Sequence, residues 1–538
     1  GTPRVCTRAM AAAAPEPAIT PAAVATRPPP GMSTPQVVGF SPDGALLTYL
    51  HAPDGGLSKQ LCAVDTATLE ESVLVSSSDA SGDTEDNLTL EEKLRRERQR
   101  NLAVGVTQYF WTPSSAERPS RLLVPLQGSL YVRHPERGSL ELLFDKESTG
   151  ASGGAIDPQA SPDGAMVAFV QDAEVYAVHT SAYTNEGGGH AVQLTAGARG
   201  AGKTNGLADF LAQEEMDRYT GFWWSPDGTK LAFQEADESH IPIYRIMHQG
   251  KDVVGAAAGA EEDHHYPFVG AANPRIRLGV VDVAAAVAAA EGAAEGEAPP
   301  PPPEPVWMDL GDDEDIYLCR VDWLPGGRLT AQVQSRDQRT LDLLVFAEDG
   351  TATQLLRETS ESWINLHHMQ VSVHEPPAGS AAAAGHAAGD EYILWASERS
   401  GFQHLYAYRV PAAGGAAQLV RTLTAGEWMV EAVNGVSADR DVVFVSGTGA
   451  GPLECHLYAA PLWGGDGEFD ATGATAVTAS EPGMHAVVFD PTVSFFVDTH
   501  SSLSAPPSLK LYAVDADSKA TLRALVVDCG AAAETAAA

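Results

Sequence analysis

The tetrapeptide Ser-Pro-Asp-Gly occurs at 41–44, 161–164 and 225–228, and an alternating apolar run follows each copy. Those runs are 45–50, 165–170 and 229–234. Degenerate copies, Leu324-Pro325-Gly326-Gly327 and Asp490-Pro491, precede similar runs at 328–333 and 492–497. Proline pre-sets the φ of a turn and Asp-Gly supplies its tight end, so each copy reads as a turn opening a strand. A second recurring run, rich in Leu-Tyr, closes many units at 174–178, 405–408, 457–460 and 511–514. A third element pairs Gln193-Leu194-Thr195-Ala196-Gly197 with Thr422-Leu423-Thr424-Ala425-Gly426. This rhythm of turns and short strands predicts an all-β chain built as a β-propeller of four-stranded antiparallel blades. The spacing suggests seven or eight blades of about 50–65 residues. The alternative, an array of two-sheet sandwiches, does not reuse one turn motif in this way.

Composition narrows the function classes. The 538 residues are 44% hydrophobic, enough for a large buried core. A formal charge of −37 argues against nucleic acid as a partner, because phosphate affinity needs clustered Lys and Arg. No apolar stretch reaches the roughly 18 residues a membrane helix needs; the longest candidate, 280–290, carries Asp282. The five cysteines, Cys6, Cys62, Cys319, Cys455 and Cys529, include no Cys-x-x-Cys pair and read as reduced thiols of an intracellular protein. Residues 1–35 are Ala/Pro-rich and carry Arg4, Arg8 and Arg27. They read as unstructured sequence or as the remnant of a transit peptide, since the chain starts at Gly1. A cytoplasmic location is the expectation, with organellar targeting left open. The propeller is expected over 36–520, an Ala-rich tail over 521–538, and disordered low-complexity loops at 255–263, 284–305 and 376–390. Two segments have helical character instead: 90–102, with Thr89 placed to cap it, and 207–216.

The sharpest chemical feature is Glu214-Glu215 on the second of these helical segments, with Asp209 and Asp217 near by. Adjacent carboxylates suit an ammonium group, whose three donors can each make a charge-assisted bond. Such pairs also occur on ordinary solvated helix faces. Residues 197–204, ending Gly202-Lys203-Thr204, match the phosphate-loop pattern in letters. A blade strand before them and an acidic helix after them oppose that chemistry. Gly150-Ala151-Ser152-Gly153-Gly154 matches the nucleophile elbow in letters but lies in a loop. His264-His265 and His367-His368 lack partners at metal-ligand spacing, so no metal and no cofactor is expected. Arg95, Arg96, Arg98 and Arg100 alternate with Glu91, Glu92 and Glu97 on the first helix, as solvated pairs do.

The segment Asp209-Phe210-Leu211-Ala212-Gln213-Glu214-Glu215-Met216-Asp217-Arg218-Tyr219, running into Phe222-Trp223-Trp224, resembles the double-glutamate segment of the dipeptidyl peptidase IV family. It is most like the bacterial and dipeptidyl peptidase 8/9-like branches. Ser335-Arg336-Asp337-Gln338, the 397–406 block, Pro482-Gly483-Met484-His485 and the 91–100 helix are similar to further family blocks, and the likeness runs over about 36–520. The resemblance implies an eight-bladed propeller that sits over an α/β-hydrolase domain and gates a serine peptidase releasing Xaa-Pro or Xaa-Ala dipeptides. It implies that Glu214 and Glu215 bind the α-ammonium of a peptide with a free N-terminus. It further implies that Arg100, with Arg98 and Arg96 as fallbacks, contacts the substrate's carbonyl groups. Implied partners are the peptide, the hydrolase domain and a second copy in a homodimer. The chain stops where that hydrolase domain begins in the family, so no catalytic Ser, Asp or His is assigned. It is expected to be part of a longer peptidase or else a free-standing, non-catalytic propeller that binds peptides or proteins.

Overall fold

The computed structural model of the chain describes residues 21, 25 and 34–529, except 53–55, 57, 77–78, 80–89, 100–103, 115–117, 135–137, 182–189, 248–260, 294–298, 465–466 and 473. The three Ser-Pro-Asp-Gly turns share one hydrogen-bond plan. Ser41 Oγ donates to Asp43 Oδ1 at 2.5 Å and accepts Leu46 N at 2.9 Å, while Gly44 takes φ 69°. Ser161 and Ser225 do the same with Asp163 and Asp227, at 2.6 Å each, and with Met166 N and Lys230 N, at 2.9 Å each. The Ser225 hydroxyl and the Thr229 N–H hold the Asp227 carboxyl below the usual range. Each turn reverses the chain between the first and second strands of a sheet, for example Ile156–Ala160 and Met166–Gln171.

Eight such sheets follow one another as blades 1 to 8, over 36–75, 110–144, 156–193, 203–307, 316–359, 371–422, 430–461 and 484–528. Strand pairing along each blade is antiparallel; Val104–Gly105 adds a parallel pair beside Ser58–Asp65 of blade 1, and in blade 4 Lys230–Asp237 pairs with Arg275–Asp282 across an intervening hairpin. Among the described residues blade 7 has three strands in its sheet, and the others have at least four. The core is divided in the same way. Eight apolar clusters each straddle one seam, from Leu61 and Val124 between blades 1 and 2 to Leu457 and Phe496 between blades 7 and 8. The ring closes where Leu47, Tyr49 and Val64 of blade 1 pack on Val497, Leu509 and Leu511 of blade 8. Blades 1 and 8 are each built from their own consecutive strands, so closure rests on side-chain packing rather than on a shared strand.

Antiparallel geometry sorts the connections. Turns between first and second strands, including every Ser-Pro-Asp-Gly copy, open on one face of the ring. Turns between second and third strands, and the links between blades, open on the other. Of the two helical segments, α1 (Leu90–Arg98) lies in the link between blades 1 and 2 and so on that second face, while α2 (Phe210–Glu215) lies within blade 4, between the two parts of its first strand, and meets α1 through Arg98.

Several expectations need correcting. The 284–305 stretch is not a disordered loop at its start, because α3 (Val283–Glu291) forms there, capped by Asp282 accepting from Ala285 N at 2.8 Å. Alanine is the strongest helix former, and Val283 and Ala286 are buried on blade 4, so low complexity here encodes a helix. Of 255–263, the described end pairs as a strand (Glu261–His265) with Ile243–Met247 in a hairpin that extends blade 4. Segment 376–390 is a series of turns with a short 3-10 helix, tied down by Asp390 accepting from Ala387 N at 2.9 Å. Blade 8 continues past 520, since Ala520–Asp528 is its outermost strand. Thr89 lies outside the described residues.

Gly164 tests the turn plan. It sits at φ 68°, and a Cβ there would lie 2.9 Å from Pro113 O of blade 2. Gly164→Ala is expected to destabilise the chain by about 1–3 kcal/mol, read as a lower urea midpoint. An unchanged midpoint would contradict the turn geometry.

Candidate functional site

In blade 4 the innermost strand is interrupted. Lys203–Asn205 and Phe222–Trp224 both pair antiparallel with Lys230–Asp237, and residues 206–221 leave the sheet between them. The departure and the return both bond Gln234: Gly206 N donates to its carbonyl, and its own N–H reaches Gly221 O, each at 2.8 Å. Only glycine fits this neck. A Cβ on Gly206 would meet Val175 Cγ2 at 2.4 Å, and one on Gly221 would meet Leu207 C at 2.4 Å. First strands line the central channel of a propeller, so the excursion carries α2 to the channel rim.

Asp209 caps α2, accepting from Leu211 N at 3.0 Å and Ala212 N at 3.2 Å. It is buried and also faces Arg218 at 3.8 Å, so it does not join an exposed anionic cluster as its spacing suggested. Arg218 fastens the return limb. Its guanidinium donates to Gln234 Oε1 at 2.5 Å, Leu318 O at 2.9 Å and Thr220 O at 2.9 Å. Nothing in the sequence marked Arg218 as buried.

Glu214 and Glu215 end α2 and are exposed. Carboxylates are disfavoured at a helix C-terminus, where the carbonyl ends already concentrate negative charge. The neighbouring cation comes from α1: Arg98 Nε lies 3.5 Å from Glu214 Oε1, and its Nη1 donates to Gln213 Oε1 at 3.0 Å. The same guanidinium lies over the Phe210 ring at 4.9 Å, and Tyr219 Oη donates to Arg98 O at 3.4 Å. Burial pulls the Arg98 guanidinium down, and Glu214, Glu238 and other carboxylates oppose that pull. Glu238 is a further acid the sequence did not single out. Burial and then Asp209 push it up to about 7, against His265 and Arg98. Tyr266, at the base of the blade 4 hairpin, packs edge-on against Phe210 at 5.6 Å.

Of the two candidate arginines among the described residues, Arg96 and Arg98, it is Arg98 that lies beside the acid pair. Arg96 lines a separate cleft of about 340 Å³ between blades 2 and 3, with Lys146 and Asp157 and without Glu214 or Glu215. Arg95 turns inward to Asp157 at 2.9 Å. Arg100 lies outside the described residues. Asp217 stands apart from the pair at φ 49°, 3.4 Å from His368.

The other motifs dissolve on inspection. In 197–204 the backbone N–H groups of Ala198 and Arg199 point at the buried Glu174 carboxylate, at 2.7 and 3.2 Å. Lys203 is held by Glu235 and Asp237, at 3.3 and 3.4 Å, on an antiparallel strand. The groups that would cradle a phosphate already serve carboxylates. Ser152 is exposed in the link between blades 2 and 3, and a strand rather than a helix follows it. His367 is buried against Trp395, and burial pulls it down to about 4. His265 bonds Ile241 O at 2.8 Å.

Fold and site together define an eight-bladed β-propeller domain with a paired-carboxylate excursion at its channel rim. The sequence family described as the dipeptidyl peptidase IV (DPP IV) N-terminal region matches residues 119–507, and the chain belongs to it. It is 24% identical to mouse dipeptidyl peptidase 8 over 490 residues, 78% of this chain and 50% of the mouse protein. It is 26% identical over 311 residues to the probable dipeptidyl peptidase 4 of Aspergillus fumigatus, covering 56% of this chain and 35% of that protein. The crystal structure of Porphyromonas gingivalis dipeptidyl peptidase 4 superposes with a TM-score of 0.63 at 19% identity, over 93% of this chain and 60% of that one. That likeness is one of fold. The chain spans half or less of the length of these curated relatives.

Proposed function

We propose that this propeller admits peptides and reads their free N-terminus for a serine dipeptidyl peptidase that releases Xaa-Pro or Xaa-Ala dipeptides. The observation that carries the reading is the pair Glu214 and Glu215, exposed at the end of α2 with Arg98 as neighbour. An α-ammonium supplies the positive charge that two adjacent carboxylates at a helix C-terminus call for. Arginine on α1 is suited to the carbonyl groups that follow, Arg98 from its position and Arg100 by the family pattern. Holding both ends of the dipeptide fixes which bond is presented to a nucleophile, so the contribution is positioning rather than chemistry. The face that carries α1 and α2 is the one on which an α/β-hydrolase domain would sit. A second copy of the chain is a further expected partner.

The test is binding of fluorescent Xaa-Pro peptides with a free or an acetylated N-terminus. Glu214→Gln and Glu215→Gln should each weaken the free peptide by about 10–100-fold, the loss of a charge-assisted bond of about 1.5–3 kcal/mol. The acetylated peptide should bind wild type and variants alike and weakly. Equal binding of free and acetylated peptide to wild type would sink the proposal.

A further inference from the structure

Blades 7 and 8 meet at three stacked histidines. His456 begins the third strand of blade 7, and His485 and His500 are cross-strand partners in blade 8. Their ring centroids are 4.8 Å apart for His456 and His485 and 4.6 Å for His485 and His500. All three side chains are buried. The backbone joins the blades at the same point: Cys455 N donates to Gly483 O and His485 N to Cys455 O, both at 3.1 Å. Gly483 is required there, since at φ 141° a Cβ would lie 2.5 Å from Ser501 O.

The hydrogen-bond partners assign the protons. His485 Nδ1 faces Asp498 Oδ2 at 2.7 Å, and its Nε2 faces the Glu481 carbonyl at 2.8 Å. His500 Nδ1 faces Glu481 Oε2 and its Nε2 the Pro482 carbonyl, each at 3.1 Å. Carbonyls and carboxylates only accept, so each of these rings bonds fully only when both nitrogens carry hydrogen. His456 differs, because Thr478 Oγ1, 3.0 Å from its Nδ1, can donate, and its Nε2 donates to Glu454 Oε2 at 2.8 Å. The remaining charged or titratable groups around the stack are Lys510, which bonds Glu481, with Glu431, Cys455 and Tyr512.

We infer that this stack is a proton-operated clasp on the seam between blades 7 and 8, closed while His485 donates from both nitrogens and released when it loses a proton to solvent. Losing it turns a ring lone pair toward an acceptor. The Nδ1–H stays on the buried Asp498 carboxylate, so the lone pair falls on Nε2, 2.8 Å from the carbonyl of Glu481 in the link between the two blades. Burial pushes the His485 imidazole down, but the Asp498 hydrogen bond and charge, with Glu481, outweigh it and leave it above the ordinary 6.5. A raised histidine contributes stability that is full below its unfolded value and is lost as pH rises through its folded value. Alkalinity, rather than mild acid, therefore opens the seam.

Amide hydrogen exchange on the whole chain, corrected for intrinsic rates, reads this directly. Protection of peptides spanning 454–457 and 483–486 should fall about tenfold or more between pH 6 and pH 8.5, and the seam between blades 3 and 4 should hold steady. His485→Gln should remove that pH dependence. Equal change at both seams, or no change at 483–486, overturns the clasp. If His485→Gln does not fold, titration of the wild-type histidine carbons by NMR decides: His485 titrating below 6.5 overturns it, and titration above 6.5 with the exchange step sustains it.

Discussion

Replacing Arg218 with methionine will cost about 3–5 kcal/mol of folding free energy and will also abolish preference for a free peptide N-terminus. Arg218 is 5% exposed, and burial pulls its guanidinium down while Asp209 keeps it charged. Its removal leaves Asp209 buried without its cation and strips donors from Gln234 Oε1, Leu318 O and Thr220 O. Those partners are the cap of α2, the strand opposite the excursion and the first strand of blade 5. Loss of the one side chain therefore loosens the helix that presents Glu214 and Glu215 as well as the seam it crosses. Lysine should recover only part of the loss, because an ammonium cannot match the planar fork that serves three acceptors in different directions. Urea unfolding and the free-versus-acetylated binding ratio measure the two effects. A wild-type midpoint in Arg218→Met would refute this account of the excursion.

Glu174→Ala is expected to cost about 3–5 kcal/mol for a different reason, the stranding of buried donors. Glu174 Oε2 accepts from Thr195 Oγ1 at 2.7 Å and Asn205 Nδ2 at 2.9 Å, and Oε1 accepts from Ala198 N and Arg199 N. Glutamine is no substitute, because its amide would turn donors toward donors on one side, at a cost of about 2 kcal/mol. The carboxylate holds the glycine-rich 197–202 turn against blade 3 and so anchors the strand that leads into the excursion. Trypsin cleavage after Arg199 and Lys203 should accelerate in both variants. Unchanged cleavage together with an unchanged unfolding midpoint would show that the turn is held by something else.

The blade count was legible where the turn chemistry repeats. Copies at 41–44, 161–164, 225–228, 324–327 and 490–491 each fall between first and second strands, in blades 1, 3, 4, 5 and 8. Blades 2, 6 and 7 make the same reversal through residues 112–121, 374–390 and 438–441, which share no motif, so their strands stood out less. Composition misled in two places. Alanine at 284–291 has the look of low complexity and acts through helix propensity, and the apolar 520–528 stretch runs into an Ala-rich tail although it forms the last strand. Glu214 and Glu215 were recognisable from neighbouring residues, but Asp209 looked like a third acid and is a buried cap.

Turn type, strand alternation, acidic balance and the paired glutamates are properties of a few adjacent residues, and those could be read from the chain unaided. A serine hydroxyl, an aspartate two positions on and a glycine at positive φ close their turn whatever surrounds them. Which arginine reaches Glu214 is another matter, since Arg98 and Gln213 are 115 positions apart in sequence. Their approach depends on the seams between blades 1 and 4, on two glycines that let the innermost strand leave and re-enter its sheet, and on Arg218 spanning to blade 5. The histidine clasp and the closure of blade 8 on blade 1 likewise exist only once the ring is complete. Contacts of that range carry no local signal, because the entropy of bringing their ends together is met by eight separate cores acting at once.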